Sequence, residues 1–376
     1  MTTTEIAANP VDLLADRLFG EGIGAFHLFT VYLGVRLGLF RALAQTPGLT
    51  AEELAARTSI DERYALEWLQ AETIAELIIA DGMDYASARF TLADGVVETL
   101  VDEVGPAYVG GIALAASAVG VATPHLVDAY RSGSGLSFAA YGPDMVDAQA
   151  AFNRPAYVNE LASAWLPQIP EVLRRLQNSV EPARVADIGC GCGWASIELA
   201  KAFPRITVDG FDSDADSIES ARRNAKEHGV DERVRFEVVD ATSTGYGSGN
   251  YDVIFLFECV HDFGRPVEAL AAARTAVADT GHVIVMDERT ADHPLIGDPV
   301  ETFFAAVSAT WCLPQSRVVP DCEAPGTLMR PAMFEALARR AGWAGVDVLP
   351  IDNAFFRFYR LVRESTGGHG SRPNLR

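Results

Sequence analysis

The sequence predicts an α/β protein, with a mostly parallel sheet of seven strands preceded by a smaller helical module of winged-helix type. Three observations carry this. Five short apolar runs between Val185 and Glu288 alternate with segments of helical spacing, the pattern of a parallel sheet. A glycine-rich turn follows the first of them, and two further strand-like runs close the chain. The first hundred residues read instead as helices followed by two short strand-like pieces.

The amino-terminal module is assigned to residues 1–104. A helical run, FHLFTVYLGVRLGLFRAL, begins at Phe26, and the stripe Phe26, Phe29, Leu33, Leu37 and Phe40 is either a dimer face or an ordinary core. Two capping-box patterns, Thr50 to Glu53 and Ser59 to Glu62, announce a short and a longer helix. The pieces IIAD and ARFTL then supply the wing. This arrangement often reads DNA, but the second of those helices carries Glu62, Glu67, Glu72 and Glu76 against Arg63 alone. Residues 1–104 hold 17 acidic and 6 basic side chains, a net of −11, and the whole chain carries −21. Phosphate contact requires the opposite sign, so nucleic acid is excluded as a partner.

Residues 105–182 are broken by Gly, Ser and Pro, and helical spacing resumes in MVDAQAAFNRPAYVNELASAWL and EVLRRL. The near-apolar run Tyr108 to Pro124 is built from small residues and is read as a close-packing helix rather than a membrane span. Phe138, Tyr141, Phe152, Tyr157 and Trp165 supply aromatic surface, singly read as core. Residues 183–363 form the α/β domain, and 364–376 read as a disordered tail.

Within the α/β domain, VADIGCGCGW joins a strand to a helix through Gly189, Gly191 and Gly193. Glycines at such a turn let backbone bend sharply and approach a ligand. The third glycine comes one residue too early for a dinucleotide fingerprint, and Asp187 would crowd a pyrophosphate but suits a ligand with a cationic end. The second run ends at Asp212, the third at Asp240 and Ala241, the fourth at Phe257 and Glu258, the fifth at Glu288. A carboxylate at the second strand's tip can accept both hydroxyls of a ribose, although Asp212 or Ser213 can equally cap the next helix. Asp240 can be a turn residue. Cys190 and Cys192 lack the second ligand pair of a zinc site and are read as loop fillers, so no metal is expected.

These motifs resemble those of class I S-adenosylmethionine-dependent methyltransferases, whose first motif is an acidic residue, any residue, then G-x-G-x-G. The resemblance implies S-adenosyl-L-methionine as cofactor, held by Asp187, Gly189, Cys190, Gly191, Gly193, Asp212, Ser213, Asp240, Ala241, Phe257 and Glu258, with Asp240 reaching adenine. The whole layout is similar to that of small-molecule O-methyltransferases, in which a winged-helix domain dimerises and a helical segment roofs the acceptor pocket. That implies methylation of an aromatic or polyketide-like acceptor by a homodimer.

Past the fourth run, His261, Asp262 and Phe263 resemble the H-D-W element of phenolic O-methyltransferases, where the histidine is a general base. A histidine titrates near working pH, which suits that role. Here Phe replaces Trp, and a histidine in this loop can instead line the cofactor pocket. Asp262 and Glu288 are the residues placed to orient the imidazole, or are solvated charges. N- or C-methylation, or a ligand-sensing regulator that keeps the cofactor pocket, are the alternative functions. Five cysteines without framework spacing and no basic residue ahead of an apolar run at the amino terminus favour the cytoplasm.

Overall fold

The computed structural model describes residues 9–246 and 249–364. The expectations for the first residues and for a disordered tail beyond Glu364 fall outside that range. The chain divides into two compact units: one runs to Ala122 and includes Tyr141–Asn159, the other comprises Thr123–Ala140 and the chain from Glu160.

In the first unit, helix α1 (Pro10–Arg36) starts well before the apolar run that announced it. It stops because Gly38 takes a left-handed φ of 68°, and the chain restarts as α2 (Leu39–Gln45). Helix α3 (Ala51–Thr58) carries the Thr50–Glu53 capping box. The second expected box is absent: Asp61 caps α4 (Glu62–Ile74) by accepting from Arg63 N and Tyr64 N, while Ser59 ends α3 in the left-handed region. Strands β1 (Ile78–Ala80) and β2 (Phe90–Leu92) pair antiparallel as the wing.

The apolar stripe divides. Phe40 is buried against Trp68, whereas Phe26, Phe29 and Leu33 on α1, and Leu37 just after it, are exposed. The acidic helix is also less uniform than its sequence. Glu72 is fully buried, with Oε2 3.1 Å from His27 Nε2, and Glu76 lies past the helix end. Two helices, Pro10–Arg36 and Gly110–Ser132, have the length and apolarity of a membrane span, by composition alone. The second packs closely, since a Cβ on Gly111 would meet Ala151 Cβ at 3.0 Å.

The second unit holds a seven-stranded sheet built from β3 (Arg184–Ile188), β4 (Thr207–Asp212), β5 (Val234–Val238), β6 (Tyr251–Phe257), β7 (Val277–Glu288), β8 (Gly345–Val348) and β9 (Phe356–Val362). The order is β5-β4-β3-β6-β7-β9-β8, parallel except for the antiparallel β9 on each of its sides. Strand β6 is apolar and buried nearly throughout, and β3 is buried past Arg184, as central strands of a parallel sheet are. β7 begins five residues earlier than its apolar run, with an irregularity opposite Tyr251 and Val253. Their carboxyl ends lie together where the order reverses between β4-β3 and β6-β7, the place where open α/β sheets bind ligands.

Candidate functional site

The glycine loop is built by backbone conformations that only glycine adopts freely: φ is 75° at Gly189, 50° at Gly191 and 80° at Gly193. The three do different jobs. A Cβ on Gly189 would strike Cys259, and one on Gly193 would strike the Phe236 ring at 2.5 Å. At Gly191 a Cβ would meet nothing within 4 Å, so this is the side of the loop open to a ligand.

The amides of the loop are already engaged. Gly189 N and Cys190 N donate to Phe211 O at 2.7 and 3.1 Å, and Gly191 N donates to Asp212 Oδ2 at 2.9 Å. Asp187 is buried beneath the helix Trp194–Ala202, where Ser196 donates its hydroxyl at 2.6 Å to Oδ2 and also its backbone N–H. The helix N-terminus is therefore occupied by the protein's own carboxylate, which opposes binding of a pyrophosphate there. Burial lifts the Asp187 carboxyl to about 6, against the lowering effect of Ser196. A cationic ligand end would restore its ionised form.

Asp212 does not cap the helix that follows. Asp214 does, accepting from Ser217 N at 2.8 Å, while Asp212 Oδ1 accepts from Asp214 N and Oδ2 ties the glycine loop. Each Asp212 oxygen keeps a lone pair for a ribose hydroxyl. Burial raises this carboxyl above its usual range despite those backbone donors. Asp240 is exposed and accepts from Thr242 N and Oγ1, the geometry of a local turn, with Ala241 O taking the Tyr246 hydroxyl. An open glycine wall, the buried Asp187, the half-buried Asp212 and loop amides engaged at Gly189, Cys190, Gly191 and Gly193 fit a cationic nucleoside better than a phosphate ester. S-adenosyl-L-methionine is the cofactor of this fold family, and it supplies an electrophilic methyl on sulfur.

The loop after β6 brings His261 into a buried cluster. His261 Nδ1 lies 2.7 Å from Asp287 Oδ1 and 3.0 Å from Glu288 Oε2, and Nε2 lies 3.4 Å from Asp262 Oδ1. His261, Asp287 and Glu288 are all buried. Three surrounding carboxylates hold the imidazole well above its ordinary range, overcoming a burial penalty that acts the other way. Donor atoms of His261, Asp287 and Glu288, and of His261, Asp262 and Cys312, lie within 4.8 Å of one another.

All three residues expected at this position, His261, Asp262 and Glu288, are brought together. Asp287 was missed, although it makes the shortest contact and also lies 3.4 Å from His261 N. The signal was available: an acid inside an apolar strand needs a partner. Ser196 and Cys312 were missed as well. Cys312 ends a π-helical turn, Ser308–Cys312, that sets its thiol against Asp262, and nothing in the local sequence announces it. Among the expected pocket aromatics, Tyr141, Tyr157 and Trp165 are buried, with the Trp165 ring 4.9 Å from Phe358.

Fold and site together define the class: the second unit carries a methyltransferase domain of the class I S-adenosylmethionine fold. Residues 180–317 match the family model for a methyltransferase domain, and residues 25–94 match that of the Rv2258c-like winged HTH domain. Malonyl-[acyl-carrier protein] O-methyltransferase of Halalkalibacterium halodurans is 29% identical over 101 residues, 27% of this chain and 37% of that one. The chain spans between 27% and 37% of the length of several curated methyltransferases that it matches. Among solved structures, an O-methyltransferase family protein from Burkholderia thailandensis superposes with a TM-score of 0.64 at 20% identity, covering 96% of this chain and 99% of the other. Human N-acetylserotonin methyltransferase, solved with S-adenosylmethionine, gives 0.65 at 17% identity, covering 96% and 99%.

Proposed function

We propose that this protein transfers the methyl group of S-adenosyl-L-methionine to an oxygen of an aromatic or polyketide-like small molecule, as a cytoplasmic homodimer. The observation that carries the reading is the juxtaposition at the carboxyl ends of β3, β4, β6 and β7. An open glycine wall with its own carboxylates lies one strand away from a buried, proton-rich acid and histidine cluster. Methyl transfer is an in-line displacement, so the protein has to align acceptor and methyl, exclude water and accept a proton.

In this reading Asp187 faces the cationic methionine end, Asp212 and Ser213 the ribose, Asp240 and Ala241 the adenine, with Gly189, Cys190, Gly191, Gly193 and Phe257 as the wall. His261, with Asp262, Asp287 and Glu288, belongs to the acceptor side. All five cysteines are free thiols, as suits a reducing compartment.

The test is a methyl-transfer screen against phenolic, polyketide and amine acceptors, run beside calorimetry with S-adenosylhomocysteine and with NAD. Methylated oxygen products and heat from S-adenosylhomocysteine alone are expected. Heat from NAD alone overturns the cofactor assignment, and products methylated only on nitrogen or carbon overturn the acceptor class.

A further inference from the structure

We propose that Glu258, rather than His261, takes the proton from the acceptor hydroxyl, and that His261 is the fixed cation holding the neighbouring carboxylates in place. This deepens the O-methyltransferase reading and rests on it.

Four observations converge on Glu258. It directly follows β6, at the end of the sheet where the glycine loop lies, and its neighbour Cys259 touches that loop, with Sγ 3.2 Å from Ile188 O. Its backbone has φ of +55°, a left-handed conformation unusual for a non-glycine residue and typical of functional positions when it occurs at one. Its N–H is held by Met286 O at 2.8 Å, so the conformation is built into the β6-β7 pairing. Its Oε1 is fully buried and accepts no hydrogen bond among the described residues.

Asp262 Oδ1 and Glu288 Oε2 are likewise buried without a hydrogen bond among the described residues, but each lies within 3.4 Å of the His261 ring. Both nitrogens of the His261 ring lie against carboxylates, Nδ1 against Asp287 and Glu288 and Nε2 against Asp262, so neither is free to face an acceptor hydroxyl. Asp287 lies against both the His261 ring and its backbone N, and Asp262 also meets the Cys312 thiol. Glu258 is the carboxylate without an ion-pair partner within 4 Å among the described residues. It faces His261 and Asp262 from its own loop and Asp287 and Glu288 from β7, and burial chiefly lifts it to about 8, near working pH. A general base is most effective with its affinity for protons tuned to that range.

The step balances without another reactant. An oxygen lone pair of the acceptor forms the new bond to the methyl carbon, the carbon–sulfur bond breaks and its pair stays on sulfur. The acceptor's O–H proton passes to a Glu258 oxygen and leaves to water with the product.

The experiment uses the full chain and a phenol that the wild type methylates. Glu258→Gln is expected to lower kcat about 10²- to 10⁴-fold, the usual contribution of a general base, while S-adenosylhomocysteine affinity stays within about twofold. Glu258→Asp should recover part of the rate, and the wild-type kcat/KM should rise with pH through about 8. A nitrophenol, already ionised, should be methylated by Glu258→Gln at close to the wild-type rate. Three outcomes overturn the proposal: an ordinary phenol turned over normally by Glu258→Gln, no rescue by the nitrophenol, or loss of S-adenosylhomocysteine binding. A wild type that binds the cofactor product but methylates no oxygen is a different result, and it removes the O-methyltransferase reading itself.

Discussion

Asp187 shows how one residue can set both a binding preference and a pH dependence. Its carboxyl is lifted to about 6 by burial, above the usual aspartate value of 3.8. The folded protein thus binds a proton more tightly than the unfolded chain. The sign follows: this group stabilises the free protein fully below about 4, and that contribution is lost as pH rises through about 6. Ligand binding runs the other way, because a cationic end prefers the ionised carboxylate. Calorimetry with S-adenosylhomocysteine should therefore show affinity rising between pH 5 and 7, and Asp187→Asn should flatten this rise and weaken binding by about 10- to 100-fold, the range of a charge-assisted hydrogen bond. A slope that persists in the variant assigns it to another group. Asp187, Asp212 and the three glycines were legible in the sequence because each answers a local demand of backbone or strand tip. Asp287 and Cys312 were not, since their roles exist only once β7 and the turn at Ser308–Cys312 arrive beside His261 from 26 and 51 positions away.

At the scale of elements, the glycine loop separates packing from binding within five residues. Gly193 lies against Phe236 of β5, so Gly193→Ala combines an unfavourable left-handed alanine with a ring clash. Together these should cost about 3 kcal/mol, read as a fall of about 10 °C in the melting temperature. Gly191 opens onto free space, so Gly191→Ala carries the backbone cost alone, about 1 kcal/mol. Its Cβ should nevertheless obstruct S-adenosylhomocysteine. The pair is informative as a contrast: equal stability losses with equal binding losses would mean that the loop is not a ligand wall. The strands themselves were readable from apolar runs and acidic tips, including the closing pair that became β8 and β9. The caps were less so. Ser59 and Asp61 are both good N-cap residues two positions apart, and the choice was made by Ser59 ending α3 in the left-handed region. Burial of Glu72 was equally hidden, because helical spacing does not reveal that His27 of α1 comes to meet it.

For the whole molecule, the unexplained feature is α1. Its second half is anchored in the first unit: Trp68 Nε1 donates to Thr30 O at 2.9 Å, and His27 meets Glu72. The part before His27 leaves Leu18, Phe19, Ile23 and Phe26 in water, with Phe19 and Phe26 about three-quarters exposed. Large contiguous apolar patches of this kind mark an interaction face. The charges interspersed there, Asp12, Asp16, Arg17 and Glu21, are mostly acidic, which disfavours an anionic membrane surface. A second copy of the same helix offers a complementary apolar face and closes under twofold symmetry, which is why the homodimer belongs to the proposed function. Light scattering on the 40.4 kDa chain should accordingly give about twice that mass at micromolar concentration. Replacing Phe19 and Phe26 together by Glu should return the mass of a single chain without loss of helical signal, because neither side chain is buried in the protomer. A wild type that stays at one chain's mass over a wide concentration range would leave α1 for a different partner, and a double variant that remains dimeric would move the interface elsewhere on the winged-helix unit.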